Sequence, residues 1–296
     1  MLSEEQAWPK KLARPRALEM RRHSVPVRVT HWINLACMVI LLMSGLAIFN
    51  GWPALYWGIR THFDQPLLAF YAVPGPNARD VGMSWILGHQ FVTTGWFGLS
   101  PGAGGREVVR GFPSWATLPG GLDLAMARRW HFFFAWIFVL NGAVYAFYAA
   151  SSRHLWRDLI PSWPELRTLG RSAWDHARLK FPSGKEAGHY NVLQKLSYLV
   201  VAFGMGPLMV ATGLAMSPWI DAAWPWLPAI FGGRQSARTI HFLTAFAFLA
   251  FVLIHILMVL LSGAGNNMRA MISGRYRISP PVSERRSGES ARTFED

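Results

Sequence analysis

The sequence predicts an all-α protein built as an integral membrane four-helix bundle, and three observations point to it. Apolar residues are gathered into four long runs instead of being spread at amphipathic spacing. Basic residues crowd alternate connections between the runs. Four of the ten histidines fall inside the runs, at depths that match in pairs.

A helix needs roughly 20 apolar residues to cross about 30 Å of hydrocarbon. Runs of that length occur at about 27–49, 130–150, 192–216 and 240–261. The last is almost free of charge, which a soluble amphipathic helix rarely is. The composition agrees, with 52% hydrophobic residues, only 15% charged residues and 15 tryptophans in 296 residues. Cys37 is the single cysteine, which excludes an internal disulfide, covalent haem attachment through Cys-x-x-Cys-His, and cysteine-held zinc or iron–sulfur clusters. The net charge of +13 comes with no nucleic-acid-binding module, so it reads as a sidedness signal and no nucleic-acid partner is expected.

The basic residues set the expected orientation. Lys10, Lys11, Arg14, Arg16, Arg21, Arg22 and Arg28 precede or open the first run, Arg153 to Lys185 holds seven more, and Arg269, Arg275 and Arg277 follow the last. Four spans place all three groups on one side, so the tails 1–26 and 263–296 are expected in the cytoplasm and the long segment 51–127 in the periplasm. The first apolar run starts late and is long enough to remain as an anchor, so no cleaved leader is expected. Residues 81–105 contain Trp85, Ile86, Leu87, Phe91 and Trp96 and compete for a fifth span. Their glycines and Pro101 argue for a loop or interfacial element on the outer surface, because a fifth span would split the basic segments between two sides.

His31 opens the first span at the inner end and His131 opens the antiparallel second at the outer end. His241 and His255 stand fourteen residues apart on the fourth span, which is about 21 Å of rise and close to four whole turns. Each depth thus receives two histidines from different helices, His131 with His241 near the outer surface and His31 with His255 near the inner one. Paired neutral imidazoles in an apolar bundle suit two b-type haems, each iron having both axial positions filled. Such centres move electrons and do not activate a substrate. Gly45, Gly142, Gly204, Gly206 and Gly213 lie within spans, where they either admit a flat macrocycle or let helices pack closely. Arg128, Arg129 and Arg238 beside the outer pair, and Arg28 beside the inner, are placed for haem propionates or for lipid headgroups. His23, His62, His89, His154, His176 and His189 are left without a role.

These residues resemble the di-haem cytochrome b subunits of nickel–iron hydrogenases, formate dehydrogenases and thiosulfate reductases. The likeness rests on the stretch from His23 to His31-Trp32, on Arg129-Trp130-His131, and above all on the spacing of His241 and His255. It implies that His31, His131, His241 and His255 ligate haem iron, that the inner haem neighbours a quinone, and that the outer haem faces a partner subunit. Asn191 and Gln194 resemble a segment near the quinone, and as residues they serve equally to cap a helix. The resemblance further implies a periplasmic redox partner of the molybdopterin-dependent sort, with no substrate catalysis by this chain beyond quinone oxidation or reduction. The long segment 51–127 departs from the compact members. A transporter or proton channel, the alternative for histidines in a membrane, would want acidic partners within the spans, which contain none. A plain structural anchor would leave the matched histidines without a purpose.

Overall fold

A computed structural model describes residues 18–76, 79–178 and 191–278. The basic residues before 18, Lys180, Lys185, His189, Tyr190 and the tail beyond 278 lie outside the described residues.

Among the described residues, four helices are long and apolar enough to cross a membrane: Val25–Asn50, Leu124–Ser151, Val192–Ala215 and Arg234–Leu261. The first, α1, begins at Ser24, whose extended backbone and following Val25-Pro26 suit a helix start because proline's missing N–H is an orphan there anyway. The second, α2 (Leu124–Ser151), is capped by Asp123, whose side chain accepts from the Met126 N–H at 2.9 Å.

The third span is composite. Helices α5 (Val192–Tyr198) and α6 (Gly206–Ala215) are joined by a wider π-type turn over Leu199–Met205. Pro207 lies at the start of α6, where its ring removes a backbone donor and crowds the preceding turn, and the wider winding relieves that crowding. Short helices α7 (Pro218–Ala223) and α8 (Trp226–Ile230) lead to the fourth span, α9 (Arg234–Leu261), which begins after Gly233, whose φ of 118° is open to glycine and not to an L side chain. Helix α1 packs along α2, and α6 along α9.

At the bundle end expected to face the cytoplasm, the chain between α2 and α5 forms short helices α3 (Trp163–Arg167) and α4 (Leu169–Ala177). Beyond α9, helix α10 (Ala264–Ser273) folds back onto the start of α1, where Trp32 Nε1 donates to Met271 O and Arg28 to Ile272 O. Strands β1 (Leu18–Arg21) and β8 (Arg275–Ile278) then pair antiparallel, and Glu19 meets Arg269, Arg275 and Arg277 across them. Both ends of the bundle's chain therefore lie on one face.

The segment between α1 and α2 corrects the all-α expectation. It holds a four-stranded antiparallel sheet, β2 (Ala54–Leu55), β3 (Leu68–Pro74), β4 (Asp80–Ile86) and β5 (His89–Val92), and a second pair, β6 (Gly98–Pro101) with β7 (Glu107–Arg110). Residues 81–105, expected as a loop or interfacial element, thus form strands. Leu87 and Gly88 take positive φ values of 47° and 91°, the two-residue turn whose twist suits an antiparallel hairpin, so β4 reverses into β5 and does not run on as a helix.

This cap, expected on the outer side, is fastened to the bundle. Phe49 from α1 and Leu55, Phe70 and Phe112 from the cap form one apolar cluster, against which Phe242 and Phe246 of α9 pack. Backbone near residue 58 is stitched to the first turns of α9: Ser236 Oγ accepts from the Gly58 N–H at 2.7 Å, and Thr239 Oγ1 donates to Tyr56 O at 2.7 Å. Arg110 is 2% exposed, and its guanidinium donates to Phe112 O, Gly120 O and Thr117 Oγ1, so one buried cation ties three turns of the cap.

Candidate functional site: two histidine pairs

The four span histidines meet in two pairs. The ring centroids of His131 and His241 are 6.3 Å apart, and those of His31 and His255 are 6.2 Å apart. Sequence depth alone suggested this pairing; the helices begin earlier than the apolar runs, so His131 and His241 sit about two turns inside α2 and α9 and not in a first turn. Hydrocarbon length fixes the apolar run, while the helix continues past it into the polar layer.

The separation is chemically informative. An iron with an imidazole nitrogen about 2.0 Å away on each side places the two ring centroids roughly 6.3 Å apart. Both pairs stand at that distance, in a gap too wide for a ring-to-ring hydrogen bond. No group of three or more His, Cys, Asp or Glu that would hold a bare metal ion exists among the described residues. Two-imidazole sites of this width fit a metal whose other ligands come from a macrocycle.

The outer pair is held from behind. Ser44 Oγ lies 3.1 Å from His131 Nδ1, and Thr212 Oγ1 lies 3.1 Å from His241 Nδ1. The next residue in each case is glycine. A Cβ on Gly45 would stand 3.4 Å from His131 Cε1, and one on Gly213 would stand 3.3 Å from His241 Cε1. Of the five span glycines, Gly45 and Gly213 are therefore the ones that make room for the imidazoles, whereas a Cβ on Gly142 would meet nothing within 4 Å.

The inner pair is more open: His255 is exposed and His31 half-buried. One residue before His31, the Thr30 carbonyl accepts from buried Asn141 Nδ2 at 2.9 Å, and the same amide donates to Asn34 Oδ1 at 2.8 Å, which fixes α1 against α2 at this level. Nearby, the Nε atoms of Arg22 and Arg28 are buried and lack a hydrogen-bond partner among the described residues. Two orphaned guanidinium nitrogens beside the inner histidines suit an anion.

The other candidate residues fare differently. Arg238 donates to Trp52 O at 2.5 Å and stands over the Phe49 ring, so it is tied to the cap. Arg129 is exposed, and Arg128 lies over Phe132. Asn191 Oδ1 accepts from the Leu193 N–H and from Ser172 Oγ, while Gln194 Oε1 accepts from the Asn191 N–H, a reciprocal helix cap that uses both amide oxygens and leaves the amide nitrogens as donors. Ser44 and Thr212 went unread in the sequence. Their signal was the repeated hydroxyl–glycine dipeptide in the first and third spans, at the depth where the second and fourth carry His131 and His241.

Among known proteins, the family model for prokaryotic cytochrome b561 matches residues 22–274. A putative protein-methionine-sulfoxide reductase subunit YedZ1 from Azospira oryzae is 27% identical over 252 residues, covering 85% of this chain and 96% of the relative. No solved structure matches.

Proposed function

The chain belongs to the prokaryotic cytochrome b561 family, and on that footing we propose that it carries electrons between membrane quinone and an oxidoreductase outside a bacterial inner membrane, through two haem b groups. The family implies haem b binding and a membrane electron-transfer role. The observation that carries the finer reading is the pair of histidine gaps, each 6.2–6.3 Å between centroids, at two levels about 21 Å apart along α9.

Haem held between two imidazoles would supply a one-electron iron couple and offer no site for a substrate at the metal. The chain's own residues do the rest. His131 and His241 offer ring nitrogens to the outer haem, and His31 and His255 to the inner. Gly45 and Gly213 let the outer imidazoles approach the helices behind them. Arg28, whose buried Nε lacks a partner among the described residues, would meet an inner propionate, and exposed Arg129 would meet an outer one, whereas Arg238 is held by Trp52 O and the Phe49 ring. The amide nitrogens of Asn191 and Gln194, which have no partner among the described residues, are donors suited to a quinone carbonyl.

The basic connections support a topology with both termini in the cytoplasm and the β-rich cap in the periplasm. The partner facing that cap is, on this reading, an enzyme that reduces oxidised methionine, as the name of the Azospira oryzae relative suggests, and a molybdopterin-dependent one, as the resemblance drawn from the sequence implies.

Absorption spectra of the purified protein test the proposal. Reduced b-type bands and two haems per chain are expected, with His241→Ala losing the outer haem and His255→Ala the inner. Folded protein that stays colourless when supplied with haem refutes it.

A further inference from the structure

Ser44 and Thr212 occupy equivalent positions on two different helices. Each hydroxyl donates back along its own helix: Ser44 Oγ to Ile40 O at 2.6 Å, and Thr212 Oγ1 to Leu208 O at 2.7 Å. A hydroxyl has a single hydrogen. With that hydrogen spent on a carbonyl, the oxygen offers only lone pairs to the imidazole 3.1 Å away, and Nδ1 of His131 and of His241 must be the donor. A carbonyl oxygen reinforces the assignment at His241, because Met209 O stands 3.1 Å from its Nδ1. All acceptors at these nitrogens are thus oxygens that cannot donate. The proton is fixed on Nδ1, and the Nε2 lone pair is left for the gap between the rings. Among the described residues, neither His31 nor His255 has such an acceptor, so the two levels differ in how their imidazoles are held.

Resting on the two-haem reading, we propose that Ser44 and Thr212 are positioning residues that select the Nδ1–H tautomer of the outer ligands and, by accepting that proton's hydrogen bond, raise ligand basicity and lower the outer haem's reduction potential. The more basic imidazole favours ferric over ferrous iron. At His241 the Met209 carbonyl shares the proton, so removal of the Thr212 hydroxyl weakens the hold without abolishing it.

The test is potentiometric titration of the full chain with haem bound, together with the low-spin ferric electron paramagnetic resonance signal of each haem. In S44A and T212V the outer haem is expected to rise in potential while the inner haem stays put, and the double variant is expected to approach a tenfold change in ferric preference, about 59 mV for one electron. S44T and T212S, which keep the hydroxyl, are expected to restore both the potential and the signal; a merely space-filling role would not separate T212S from T212V in that order. Should S44A shed haem, loss confined to the outer level and reversed in S44T also supports the proposal. Unchanged potentials in the double variant, or equal disturbance of both haems, overturn it. Wild-type protein that binds no haem defeats the haem reading itself, and that failure is visible before any variant is made.

Discussion

Gly213 stands where an added side chain collides with a proposed haem ligand, and the collision can be scaled. A Cβ there would lie 3.3 Å from His241 Cε1, against about 3.5–4.0 Å for an unstrained carbon contact. In Gly213→Ala the ring must give by a few tenths of an ångström, an overpacking cost of about 1 kcal/mol, which weakens haem retention about fivefold. Gly213→Leu drives more carbons into the same place, and a cost of about 3 kcal/mol weakens retention about 150-fold. Gly142→Ala is the control, because its Cβ would meet nothing within 4 Å and both haems should stay. Haem-to-protein ratio after competition with excess apomyoglobin reads the series. Full retention in Gly213→Leu, or equal loss in Gly142→Ala, refutes the claim that glycine is present to admit the imidazole.

Replacing buried Arg110 by Met leaves Phe112 O, Gly120 O and Thr117 Oγ1 without their donor and should destabilise the outer cap by about 3 kcal/mol, seen as faster proteolysis within residues 98–120 while the haem bands persist. His23 is 7% exposed; burial first, then the Arg22 guanidinium, lowers its imidazole from 6.5 to about 4. The unfolded chain therefore binds the extra proton, so stability present above pH 6.5 is lost as pH falls towards 4, by about 3 kcal/mol, and thermal melts of His23→Phe should lose that slope. Glu165 accepts from Lys195 Nζ at 2.8 Å, and chiefly that hydrogen bond holds its carboxyl below the ordinary range. Its contribution is present above the usual carboxylate range and disappears as pH falls through the lowered value; hydrogen exchange across residues 163–177 should rise on acidification in the native chain and be already raised, without that pH step, in Glu165→Gln.

What the sequence discloses here follows from which forces are local. Hydrocarbon imposes a length and a composition on each span, so the four helices are legible as apolar runs. The true starts at Leu124 and Arg234 are not, because helix continues beyond the apolar slab on hydrogen bonds and caps such as Asp123. The histidine pairing was readable because depth along a helix is a count of residues. The sheet from Ala54 to Val92 was hidden: Gly82, Gly88 and the aromatic content resemble an interfacial loop, and the strands declare themselves only through tertiary pairing such as Phe70 with Ser84. Asn191 and Gln194 were open between capping and ligand binding, and their oxygens are in fact spent on the cap. Ser44 and Thr212 escaped because a hydroxyl in a span ordinarily just bonds its own helix. These do so as well, and only the third dimension shows what faces their other side.

The pairing of Leu18–Arg21 with Arg275–Ile278 turns the chain into a hoop, its two ends buckled together by Glu19 and three arginines. The first and last spans are leashed at that buckle and at the same time share the proposed inner haem between His31 and His255. A pull on either strand of that buckle would thereby be transmitted to both imidazoles of the proposed centre.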